Sequence, residues 1–179
     1  PYIIAVGSDI ARRNYPRMLQ AMQLAWPALP DYHLLLAGHN PWPGTPLYQQ
    51  AQAAGVLARL YFIQGPSDRE LAQLYRDAVL PCCASSFEGF GLSVLESLAC
   101  GTPVTCSDMR SLREVADDAA VYFPHDDASA MGESIVALAE DAEYRRQLRY
   151  RGLARAKLFT WRTAADLILQ TLAQARAEF

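Results

Sequence analysis

The chain has 179 residues, 51% hydrophobic and 20% charged, the balance of a soluble globular protein large enough for a substantial core. A net charge of -3 argues against nonspecific nucleic-acid binding, and no apolar run approaches the roughly 20 residues that span a membrane. No signal-peptide pattern is visible, and the opening Pro1-Tyr2-Ile3-Ile4 reads as a chain entered after its natural start. The four cysteines, Cys82, Cys83, Cys100 and Cys106, fall in or beside predicted strands and match no zinc spacing. They read as reduced thiols of a cytoplasmic protein.

In chain order, strands alternate with helices. Tyr2 to Val6 is strand-like and runs into Gly7-Ser8. A helix is expected from about Tyr15, with Asn14 as cap, Pro16 in the first turn, and Met18, Leu19, Met22 and Leu24 as apolar positions. His33 to Ala37 is a second strand closed by Gly38; a loop over Asn40-Pro41-Trp42-Pro43-Gly44 leads to a helix from Pro46 to Ala54, ended by Gly55. Leu60 to Ile63 is a third strand, followed by Gly65 and by Ser67-Asp68-Arg69-Glu70, which has the form of a capping box opening a helix through Tyr75. Val79 to Ala84 has the length of a buried strand. A helix from about Gly91 to Ala99, with Leu92, Leu95, Leu98 and Ala99 as its apolar face, ends at Gly101 before Pro103. Pro103 to Cys106 and Ala120 to Phe123 are the last strands; between them Ser111-Leu112-Arg113-Glu114 reads as a second capping box, opening a short helix to Ala116. Three helices close the chain, over about 128–140, 142–157 and 161–177.

This alternation predicts an α/β fold: a Rossmann-like parallel sheet with helices on both faces, ending in C-terminal helices, in one domain over 1–179. In such sheets ligands bind beyond the carboxyl ends of the strands. That rim would gather Gly7-Ser8, Gly38-His39, Gly65-Pro66 and Glu88-Gly89. The stretch that carries chemistry is Glu88-Gly89-Phe90-Gly91-Leu92, a glycine-bearing turn at a helix start, where unpaired amides and the helix dipole suit a phosphate. Glu88 precedes that helix and Glu96 lies about one and a half turns inside it, on the order of 8 Å further along. A diphosphate at the helix start would then have a carboxylate at each end, Glu96 placed for a ribose and Glu88 for a sugar. The same spacing also fits a loop glutamate in water and a helix glutamate paired with a nearby arginine.

The run from Phe87 to Glu96, followed by Ala99-Cys100-Gly101-Thr102-Pro103-Val104, resembles the E-x7-E signature of retaining family-4 glycosyltransferases. Ser107 to Ala120 resembles that family's S-x-x-x-S-L-P-E-V-x-G-D-A-A run. Val6-Gly7-Ser8-Asp9-Ile10-Ala11-Arg12-Arg13-Asn14 resembles its phosphate loop, V-G-S-x-x-P-R-K-N, and Phe62-Ile63-Gln64-Gly65 with Asp68 to Leu71 its base-side segment. The likeness implies the donor-binding, C-terminal half of a GT-B enzyme, with the acceptor domain outside this chain. It implies a nucleotide-diphosphate sugar as substrate, GDP- or UDP-linked, and neither a cofactor nor an obligatory metal. Glu96 would hold the ribose, Glu88 the donor sugar, and the amides of Phe90, Gly91 and Leu92 the diphosphate, with Gly7, Ser8, Gly89, Gln64 and Gly65 lining the donor site. Arg12 and Arg13 would offset charge building on the leaving diphosphate, which is electrostatic catalysis.

The sequence departs from the family pattern with Arg13 where lysine is usual, Arg113 for proline and Asp117 for glycine. Arginine keeps the charge but exchanges a compact ammonium for a planar fork. The implied activity is retaining transfer of a hexose, mannose favoured, to a glycan or lipid-linked acceptor held by the missing domain. The isolated domain is expected to turn over poorly. A noncatalytic nucleotide-sugar binding or assembly module is the alternative, or another GT-B enzyme such as an epimerase or phosphorylase. No nucleic-acid partner is expected, and membrane contact, at the inner face, would fall to the domain outside this chain. His39 at a strand end and Trp42 in its proline loop are lesser ligand candidates, Trp42 reading better as a packed anchor; His33 and His125 read as structural. Asp126-Asp127 reads as the cap of the next helix, and the last helix carries an apolar side of Trp161, Ala165, Ile168, Leu169 and Leu172 expected to be exposed.

Overall fold

In chain order the strands are β1 (Tyr2–Val6), β2 (His33–Gly38), β3 (Leu60–Gln64), β4 (Leu80–Cys83), β5 (Val104–Ser107) and β6 (Ala120–Phe123). The helices are α1 (Tyr15–Ala25), α2 (Pro46–Ala53), α3 (Asp68–Asp77), α4 (Leu92–Cys100), α5 (Arg110–Ala116), α6 (Ala128–Glu140), α7 (Ala142–Ala156) and α8 (Trp161–Glu178). The computed structural model describes residues 1–39 and 42–178, with side chains through 176, so Asn40 and Pro41 of the expected loop lie outside the described residues. The strands form a single parallel sheet in the order β3-β2-β1-β4-β5-β6. The chain winds outward from β1 to β3, returns beside β1 as β4, and winds outward the other way. The order therefore reverses between β1 and β4, where an open α/β sheet leaves a crevice for ligands.

Alternation along the strands splits the core between two faces. Ile3, Ala5, Leu34, Leu36 and Cys82 pack with α1 and α6, whereas Ile4, Leu35 and Ala37 pack with Tyr75 of α3. Adjacent Cys82 and Cys83 belong to different clusters, as opposite faces require, and all four cysteines are free. Burial pushes the thiols of Cys82, Cys83 and Cys106 up, which leaves them poor nucleophiles. Among the described residues no helix is long and apolar enough to cross a membrane.

Three local expectations are corrected. Leu92 and Leu24 are 57% and 59% exposed. The buried side of α4 is Val94, Ser97 and Leu98; Leu92 lies about 160° round the helix from Val94. Six of the nine α4 residues are apolar and they spread round the helix, so periodicity alone does not choose its inward side. Ser111 opens no capping box: α5 starts at Arg110 with no side-chain cap, and Glu114 pairs with Arg110 at 2.9 Å. Asn14 stands at the start of α1 with φ 57, yet its side chain makes no cap bond. Its amide instead donates to the carbonyls of Ala84 (3.2 Å) and His125 (2.7 Å), tying three loops together. By contrast, the Ser67–Glu70 box forms in full, and Asp127 caps α6 by accepting from the Ala130 amide.

Candidate active site

The loops leaving β1 and β4 meet over the crevice. Gly7, at φ 131, donates its amide to the Ala37 carbonyl and accepts from the Tyr15 hydroxyl at 2.9 Å. A Cβ at Gly7 would stand 2.6 Å from Arg13 Nε, so glycine is what lets the guanidinium lie against the chain. A three-residue helical turn, Ala11–Arg13, carries both arginines. The Ser86 amide donates to the Arg12 carbonyl at 2.8 Å, which stitches the β4 exit to that turn.

Glu88 sits at the centre. Its carboxylate accepts from Arg13 Nη1 at 2.5 Å, Arg12 Nη1 at 3.2 Å and the Ser85 hydroxyl at 2.9 Å. Its backbone carbonyl accepts from the Ser111 hydroxyl at 2.6 Å. The Glu88 side chain is 8% exposed, that of Arg13 18% and that of Arg12 43%, so a nearly buried anion joins one cation from below and one from the rim. Arg13 Nε is buried without a partner, and a cavity of about 10 Å³ lined by Arg13, Tyr15, Tyr75, Cys83, Ser85 and Ser93 has room for one water. A loop glutamate left in water, one of the readings open at sequence level, does not fit Glu88, which is held by the two arginines.

Beyond Glu88, the chain turns through Gly89 and Phe90, and Gly91 at φ 103 starts α4. A side chain at Gly91 would collide with Leu112 of α5. Val94 and Leu95 donate their amides to the Gly91 carbonyl, and among the described residues the α4 amides before them have no partner, as at any helix start. Phe90 is exposed and packs edge-on to Phe159. Further along α4, Glu96 accepts from the Tyr75 hydroxyl at 3.1 Å, and no arginine pairs with it among the described residues. It borders a pocket of about 200 Å³ between α3 and α4, lined by Asp68, Leu71, Ala72, Tyr75, Ala99 and Cys100. Burial raises the Glu96 carboxyl above its ordinary range, while the Tyr75 hydrogen bond and the nearby charge of Arg13 pull it down. Arg13 thus acts on both carboxylates.

Gly7, Ser8, Arg12, Arg13, Glu88, Gly89, Phe90, Gly91, Leu92 and Glu96 thus gather at the crevice or along the helix that opens on it. Gln64 and Gly65 stand on the same rim at the sheet edge; Gln64 pairs in register with Gly38, and Gly65 packs beside His39. Trp42 is buried against Phe62 and Tyr15 and is a packed anchor. Ser85, Ser111, Asn14 and Tyr75 join the site without having been expected there. Ser85 had a faint signal, a serine three residues ahead of a carboxylate, whereas the partner of Ser111 lies 23 residues away.

A doubly wound sheet with a carboxylate–arginine cluster at its switch point and a helix start beside it puts a charged site where open α/β sheets bind their ligands. Comparison with known proteins narrows the class. Residues 1–155 match the family described as Glycosyl transferases group 1, and the chain belongs to that family. It is 34% identical over 165 residues to O-antigen chain mannosyltransferase B of Escherichia coli, covering 89% of this chain and 42% of that protein. Among solved structures it resembles sucrose-phosphate synthase of Thermosynechococcus elongatus, with a TM-score of 0.82 and 25% identity over 99% of this chain and 46% of the other. It also resembles the C-terminal domain of a glycosyl transferase group 1 family protein of Francisella tularensis, with a TM-score of 0.74 and 20% identity over 88% of this chain and 84% of the other. The chain thus spans less than half the length of its mannosyltransferase relative. The sheet is the Rossmann-like half of a GT-B fold.

Proposed function

We propose that this chain is the donor-binding domain of a retaining glycosyltransferase. It would hold a nucleotide-diphosphate sugar while a second, N-terminal domain outside this chain presents a glycan or lipid-linked acceptor. The observation that carries the reading is the convergence of Arg12, Arg13 and Glu88 at the β1/β4 switch point, beside the N-terminal end of α4. The two guanidinium groups and the amides of Phe90, Gly91 and Leu92 would receive the diphosphate and the charge that builds on it as the glycosidic bond breaks. These are fixed positive groups already in place, so the leaving group can be stabilised by protein charge, with no cofactor assigned. Glu96 would accept from the ribose hydroxyls at the mouth of the α3–α4 pocket. Glu88 would accept from hydroxyls of the transferred sugar, and Gln64 and Gly65 would border the base. Gly7, Ser8 and Gly89 would let the ligand approach the backbone closely.

Arg13 fills the position where the family pattern has lysine. Its donation to Glu88 and its burial under Gly7 support a working role for the arginine fork. A mannosyl donor is favoured because the relative at 34% identity carries a mannosyltransferase name. Work at the cytoplasmic membrane face, where a lipid-linked acceptor would lie, fits the same reading.

The test is calorimetric titration of the chain with GDP, UDP and ADP, repeated on Glu96→Ala. One diphosphate should bind, and the variant should weaken it more than about tenfold, roughly 1.4 kcal/mol. Binding that survives the substitution would remove Glu96 from the ribose. Failure of all three ligands to bind would overturn the donor-site reading.

A further inference from the structure

Glu88 neutralises the same two cations that a diphosphate would need. Its carboxylate lies across Arg12 Nη1 and Arg13 Nη1, and Ser85 holds it there from below with a hydroxyl that is itself buried. With Glu88 in place the cluster offers an incoming phosphate one net positive charge; with the carboxylate moved aside it offers two. An anion that takes the arginines must therefore displace Glu88 or accept a like charge at contact distance. A displaced carboxylate at 8% exposure needs new hydrogen-bond donors, because an unpaired buried charge is strongly unfavourable.

The two natural ligands of such a site differ in what they bring. A nucleotide sugar carries hydroxyl donors adjoining its second phosphate, so the molecule that takes the arginines from Glu88 also gives the carboxylate new partners. A bare nucleoside diphosphate brings an additional ionisable phosphate oxygen and no hydroxyl adjoining its second phosphate. Resting on the function proposed above, we infer that Glu88 is a specificity-determining residue that makes the site prefer a nucleotide sugar over the nucleoside diphosphate left after transfer, by competing for Arg12 and Arg13 and yielding only to a ligand with hydroxyls to offer there. The consequence is weaker retention of the spent nucleotide. Recognition of this kind works by penalising the wrong ligand as much as by rewarding the right one.

The experiment compares the chain with Glu88→Gln and Ser85→Ala, each checked by thermal melting. Titrations use GDP against GDP-mannose, and UDP against UDP-glucose as the other pair. Glutamine keeps the shape and loses the charge. It should bind the nucleoside diphosphate about tenfold more tightly than the parent chain, about 1.4 kcal/mol, and the nucleotide sugar no more tightly. Ser85→Ala keeps the charge but loosens the carboxylate, and should move the ratio the same way by a smaller factor. It carries the test if Glu88→Gln fails to fold. Unchanged or weaker diphosphate binding in the folded variants, with the parent chain binding normally, overturns the inference and leaves the donor site standing. No binding of either pair to any chain overturns both. Equal weakening of both ligands would make Glu88 a structural brace, which also overturns the inference.

Discussion

Glu96 keeps its carboxylate where water is partly excluded, and burial raises its carboxyl above the ordinary 4.5. The folded chain therefore binds that proton more readily than the unfolded chain. The contribution to stability is full below the unfolded value near 4.5 and falls as pH rises through the raised folded value. Glu96→Gln should consequently melt slightly higher than the parent at pH 7 and level with it at pH 4. The gain should stay under about 1 kcal/mol, since water screens a group this exposed. The same variant should lose nucleotide affinity, the exchange of function for stability expected at a binding residue. Melting curves at the two pH values check the first part, and a parent chain that melts above the variant at pH 7 would contradict it.

Among the elements, close backbone approach decides more than glycine flexibility does. A Cβ at Gly38 would run into the Gly7 carbonyl at the β1 exit, while one at Gly132 would lie 2.9 Å from the Ala21 carbonyl where α6 crosses α1. Gly38→Ala and Gly132→Ala should each cost about 1–3 kcal/mol through forced backbone movement, roughly 2–4 °C in melting temperature per kcal/mol for a chain of this size. Gly38→Ala should also weaken nucleotide binding, because the displaced Gly7 loop carries Arg13. Gly89→Ala meets nothing within 4 Å and should leave stability unchanged within about 0.5 kcal/mol. Equal melting losses at all three positions would show that packing distance is not the cause. The capping boxes make the same point. Ser67 and Glu70 close theirs, whereas Ser111, with Glu114 at the same spacing, donates to the Glu88 carbonyl across the site and Glu114 pairs with Arg110.

Across the whole molecule, the reversal of strand order between β1 and β4 is what brings two loops from distant sequence over one crevice. At the other extreme, every described side chain of α8 from Trp161 to Arg176 is exposed, with Trp161 at 89% and Ile168, Leu169 and Leu172 at 60–64%. The apolar side read from the sequence is a real surface patch, and patches of this kind drive association. Leu169→Glu with Leu172→Glu should reduce concentration-dependent association in sedimentation experiments without lowering the melting temperature. A clear melting loss would show that the face is covered within the chain.

Much of the architecture was legible from residues alone. Apolar runs closed by Gly7, Gly38 and Gly65, and helix starts marked by Ser67 and Asp127, are set by neighbours along the chain, so their order and the parallel sheet follow from local rules. The resemblance in the Glu88–Glu96 run likewise pointed to the family that the match over 1–155 shows. What only the tertiary structure decided are relations between distant segments. Arg12 and Arg13 reach Glu88 across 76 and 75 residues, α4 buries Val94 and Leu98 instead of Leu92, and Asn14 leaves its helix to bind two other loops. Sequence spacing carries no distance between chain segments; packing supplies it, because a buried charge or carbonyl takes whatever donor the fold brings within reach.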